Sequence, residues 1–139
     1  KMHKETIPYI DYNGTERTED FYFNLTKTEL TELEAGTEGG LGEYLTRIIN
    51  AQNVPELMAA FKKIILAAYG EKTPDGKRIR KSEEISKAFT ETPAYDVLFQ
   101  KLFLSGDPNA ASDFINDIIP QVKDEVAQSA VGNNNPTVV

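Results

Sequence analysis

Between Asn53 and Gly70, seven apolar residues (Val54, Leu57, Met58, Phe61, Ile64, Ile65 and Ala68) recur at intervals of three and four. That spacing puts all seven on one face of an α-helix and on no single face of a strand. Asn53, with Glu56 three residues later, supplies an N-terminal cap, and Gly70 stands where a left-handed C-terminal cap belongs. A face this wide has to be covered by the rest of the chain. The spacing therefore predicts that this helix forms the centre of the core, where truncating Phe61 or Ile65 costs about 2–5 kcal/mol.

The flanking segments supply the cover. Thr26 and Glu29 form a capping box, which predicts a helix from Lys27 to Ala35 that stops at Gly36. Glycines 36, 39, 40 and 42 make a flexible link, after which Leu41, Tyr44, Leu45, Ile48 and Ile49 return at helical spacing. Upstream, Ile7, Tyr9, Ile10 and Tyr12 lead to Asn13-Gly14, a pair suited to the positive φ of a tight turn. Phe21, Phe23 and Leu25 then alternate with polar neighbours, so a hairpin is predicted with these three facing the core. The acidic spacer from Thr15 to Glu19 reads as a longer or twisted loop between the strands.

From Tyr69 to Tyr95 the signals change every few residues. Thr73-Pro74-Asp75-Gly76 fits a β-turn, with Glu71 to Thr73 and Lys77 to Lys81 as short flanking strands. Ser82 caps a helix over Glu83 to Phe89, and Thr92-Pro93 opens another with proline in the first turn, where no amide bond is lost. Its apolar face is Tyr95, Leu98, Phe99, Leu102 and Phe103. After Ser105-Gly106, Asp107-Pro108 starts a last helix with Ala111, Phe114, Ile115, Ile118, Ile119, Val122 and Val126 along one side. Pro120 predicts a kink or a restart there, and the glycine, asparagine and proline of residues 132–139 predict a disordered tail. The expected fold class is mainly α: one helical domain over residues 1–131, with an N-terminal β-hairpin and a short internal β-hairpin.

Composition narrows the chemistry. No cysteine among 139 residues excludes a disulfide scaffold, a thiolate zinc site and a cysteine nucleophile. A net charge of -7 opposes the basic footprint that duplex binding needs, so nucleic acid is not an expected partner. No apolar run approaches the roughly 20 residues of a membrane span, so no membrane partner is expected and the chain reads as cytoplasmic. The triplets Asn13-Gly14-Thr15 and Asn24-Leu25-Thr26 would be glycosylated only in a secreted chain and read as chance.

Candidate reactive residues resolve into plainer roles. His3, the single histidine, has no partner at ligand or triad spacing and reads as exposed. Asp107-Pro108-Asn109 opens like a calcium loop, but Ser112 replaces the glycine and Ile118 the glutamate that such a loop requires. Asp75-Gly76-Lys77 lacks the spacing of a phosphate loop. Lys77, Arg78, Arg80 and Lys81 form a basic patch on an acidic chain, read as a solvated or salt-bridging hairpin whose charge suits self-association. Glu16, Glu19 and Asp20, and Asp113 with Asp117, read as solvated faces. No catalytic, cofactor or metal residue is assigned. The stripe of the last helix reads as core before partner groove, and a partner surface, where there is one, is expected on the last two helices at Leu98, Phe99, Leu102, Phe103, Phe114, Ile115, Ile118, Val122 and Val126.

The order of these motifs has a wider meaning. Tyr69-Gly70-x-Lys72-x-x-Asp75-Gly76-x-Arg78 precedes Lys81-Ser82-x-Glu84, Phe89 and Thr92-x-Ala94-Tyr95-x-x-Leu98-Phe99. With Ile7-Pro8-Tyr9, Asp11 to Gly14 and Glu38-Gly39-Gly40-Leu41-Gly42, this series resembles the tail assembly chaperones of long-tailed phages and prophages of Gram-positive bacteria. The likeness runs over about residues 5 to 120. It implies a non-enzymatic protein without cofactors that binds the tape measure protein, an aggregation-prone helical chain, and keeps it soluble while tail tube subunits assemble. It also implies self-association into a homo-oligomer, residence in the host cytoplasm and absence from the finished virion. A frameshifted longer form that recruits the tail tube protein is implied too. The charge alone suggests a different class: an acidic inhibitor or nucleic-acid mimic acting on a host protein.

Overall fold

The chain begins with a long hairpin. The computed structural model describes residues 2–51 and 53–118, and within them β1 (His3–Ile10) pairs antiparallel with β2 (Glu16–Phe23) from His3 opposite Phe23 to Ile10 opposite Glu16. The segment from Glu16 to Glu19, expected as loop, is therefore strand. Asp11 explains the difference: one carboxylate oxygen accepts the amides of Asn13 and Thr15, each at 2.9 Å, while the other accepts Arg17 Nε at 2.6 Å. These bonds close the turn within Asp11 to Thr15, with Gly14 at φ 83°, and leave the acidic residues free to pair.

Helices α1 (Lys27–Ala35), α2 (Leu41–Ala51) and α3 (Val54–Ala68) follow. The capping box at α1 is reciprocal: Thr26 Oγ1 accepts the Glu29 amide at 3.1 Å and Glu29 accepts the Thr26 amide at 2.9 Å. Asn53 accepts the Glu56 amide at the start of α3. The other end of α3 departs from expectation. Tyr69 turns extended at once (φ -66°, ψ 138°), and Gly70 is a strand residue rather than a left-handed cap. A Cβ on Gly70 would lie 2.6 Å from Ile79 Cγ1, so close packing between strands is what requires glycine there.

That change of direction makes β3 (Tyr69–Lys72), which pairs with β2 at Tyr22–Gly70 and Phe23–Tyr69, and with β4 (Ile79–Arg80) on its other side. The two expected hairpins thus join into one antiparallel sheet of order β1-β2-β3-β4. The turn at residues 73–76 forms as expected, with the Gly76 amide donating to the Thr73 carbonyl at 2.9 Å and Gly76 at φ 73°. Helices α4 (Glu83–Thr90), α5 (Pro93–Phe103) and α6 (Ala110–Ile118) complete the described chain, α4 and α5 capped by Ser82 and Thr92. Residues 119–139, and with them the expected bend at Pro120 and the expected tail, lie outside the described residues.

The core lies where the sheet base meets the helices. Phe23 and Leu25 are buried and Phe21 packs beside them. Tyr69 stacks on Phe89 at 4.1 Å, and Phe23 meets Phe89 and Phe114 edge-on at 5.8 and 5.2 Å. From α3, Ala60, Phe61, Ile64, Ile65 and Ala68 are buried, as the central helix should be. Val54 and Met58, at the N-terminal end of the same stripe, are not: both are exposed.

Candidate functional site

Apolar surface is the feature of this molecule that polar chemistry does not account for. Of the nine residues expected to meet a partner, Leu98, Leu102, Phe114, Ile115 and Ile118 are buried in the core. Their spacing signals a helix face but not what covers it. Phe99 and Phe103 are half-buried and keep part of each ring at the surface. Val122 and Val126 lie outside the described residues.

Phe103 links α5 to α3. It stacks on Phe99 at 5.4 Å and meets Phe61 edge-on at 5.6 Å, which sets the C-terminal half of α5 against α3. Next to it in sequence, Leu104 is 79% exposed, and the first turns of α3 carry the exposed Val54 and Met58 with the half-buried Leu57. Leu104 falls just past the helix end, so periodicity gave no reason to single it out. Val54 and Met58 were visible as part of a stripe, and only the packing shows that their end of it is open.

Two polar clusters among the described residues join distant parts of the chain. His3, expected to be exposed, is only 16% exposed at its side chain: its ring packs edge-on against Phe114 at 4.9 Å, its Nε2 lies 2.8 Å from Glu5, and its Nδ1 is 3.5 Å from Asp117. Glu5 is 8% exposed and is also bound by Lys101 from α5. Sequence reading missed this cluster because Glu5 and Lys101 are 96 positions apart. The one available signal was the alternation of β1, which puts His3, Glu5 and Ile7 on the same side.

A second junction joins Lys81 to α1. Its ammonium donates to both carboxylate oxygens of Glu29, at 2.8 and 3.0 Å, and to the carbonyl of Asn24. Burial pushes the Glu29 carboxyl up, but the Lys81 ammonium and the Thr26 amide outweigh it and hold the group below its ordinary range. Elsewhere, the Arg17 guanidinium holds Asp11 low, and burial raises the phenols of Tyr69 and Tyr95. Beside Lys81 a cleft of about 570 Å³ runs between α3 and α4, floored by Leu66 and Ala67 and rimmed by Lys62 and Lys87. Among the described residues no three acidic or histidine side chains gather as a metal site would require, and no helix is long and apolar enough to cross a membrane.

What this arrangement offers is exposed apolar side chains on a framework held by caps and ion pairs. No curated protein and no solved structure gives a significant match. A family model described as phage tail assembly chaperone matches residues 2–137. Since that match spans nearly the whole chain, this protein belongs to the phage tail assembly chaperone family.

Proposed function

We propose that this chain binds the tape measure protein, keeps that helical client in solution and assists assembly of the tail tube around it. The family match over residues 2–137 carries this reading. The exposed Val54, Met58 and Leu104 and the partly buried Leu57, Phe99 and Phe103 support it, because an amphipathic client helix can cover such apolar side chains without any catalytic group. In this reading the protein is not an enzyme. It works in the cytoplasm of a Gram-positive host of a long-tailed phage, self-associates, and is left out of the finished virion. A longer, frameshifted form brings the tail tube protein to the same complex. Family membership favours this reading over an acidic inhibitor or nucleic-acid mimic.

The test is co-expression of the full chain with the tape measure protein encoded beside it. The expected result is co-purification, reduced about tenfold by Met58→Glu with Phe103→Ser, since a few central apolar contacts carry most of such an interface. Co-purification unchanged by those substitutions would reject the surface, and none with the parent chain would reject the function.

A further inference from the structure

The two hairpins carry opposite charge. Between Asp11 and Asp20 four anionic side chains stand against one cation, Arg17, and between Glu71 and Lys81 five cations stand against two anions. Each hairpin thus has a surplus of three, negative on the first and positive on the second, within a chain of net charge -7. They share a base only at Tyr22–Gly70 and Phe23–Tyr69 and are otherwise unpaired with each other. Among the described residues no ion pair joins them; the one charged contact across is Lys72 over the ring of Tyr22 at 5.5 Å. Lys77, Arg78 and Arg80 are exposed and carry no ion pair among the described residues, and neither does Glu16.

The first hairpin is also poorly covered. Its distal half, from Pro8 to Thr18, has no buried side chain, and its tip exposes Ile10 at 60% and Tyr12 at 83%. Pro8 sits in edge strand β1, where its missing amide opposes the addition of a further strand. The contact this ribbon suits is therefore made by side chains. A carboxylate-rich arm with two apolar side chains at its tip fits a cationic surface, and among the described residues the second hairpin offers a local surplus of cations.

We infer that the acidic first hairpin of one copy docks on the basic second hairpin of another copy, through Glu16, Glu19 and Asp20 against Lys77, Arg78 and Arg80. The inference rests on the self-association in the reading above and supplies its surface. Two different patches meet in such a contact, so one copy can pass it on to the next. Charge steers the approach and selects the register, while Ile10 and Tyr12 are the apolar area to be covered.

Sedimentation velocity of the full chain at about 20 mM and about 500 mM salt tests it, because exposed charges separated by more than a Debye length are screened at the higher value. The parent chain is expected to associate at low salt and to dissociate at high salt. Glu16→Lys with Glu19→Lys, and separately Arg78→Glu with Arg80→Glu, should each weaken association about tenfold. An equimolar mixture of the two variants should recover it, which damage to the fold would not allow. A parent monomeric at both salts would overturn self-association and this interface together. Association unmoved by either pair of substitutions, or not recovered on mixing, would overturn the interface alone and leave client binding intact.

Discussion

At the scale of single residues, stability depends on where each side chain of the central stripe ends up. Phe61 and Met58 lie one turn apart on α3, yet Phe61 is buried against Phe103 and Met58 is exposed. Phe61→Ala should cost about 3–5 kcal/mol in urea denaturation, and Met58→Ala less than about 1 kcal/mol. Glu29 gives a pH-dependent contribution. Its folded-state carboxyl titrates below the ordinary value of 4.5, so its stabilising effect is complete above that pH and is lost as the pH falls through the lower, folded value. Denaturation midpoints measured between about pH 6 and pH 3 should show this loss in the parent chain, and Glu29→Gln should remove that part of the slope.

At the scale of elements, what could be read from the chain was what short-range chemistry decides. Helix α1 follows from Thr26 and Glu29, α4 from Ser82, α5 from Thr92-Pro93, and the second turn from residues 73–76, because caps and turns are made by neighbours. Pairing across distance was not legible. Nothing near Gly70 in sequence announces that Ile79 will press against it or that Tyr22 will pair with it, so a strand glycine looks like a helix cap. Burial along α5 was no more legible: Leu98 and Phe99 stand side by side in one apolar pattern, and only tertiary packing buries the first and leaves the second half-buried. Gly70→Ala tests the close approach. With 2.6 Å to Ile79 Cγ1, it should destabilise by about 1–3 kcal/mol, whereas a Cβ at Gly14 meets nothing within 4 Å and Gly14→Ala should cost only the strain of its positive φ, about 1 kcal/mol. Thermal unfolding of both variants, with the larger loss at Gly70, is the expected ranking.

At the scale of the whole molecule, the chain combines an acidic, cap-stabilised helical body with a four-stranded sheet whose two hairpins diverge, and with apolar surface left open on α3 and α5. Such exposed apolar side chains are what the proposed binding of a client helix would use. The most direct measurement is the soluble fraction of the tape measure protein expressed with and without this chain. Most of the client should move into the soluble fraction when the full chain is present, and return to the pellet with the Met58→Glu, Phe103→Ser variant. A client equally insoluble in the presence of the parent chain would contradict the proposed function.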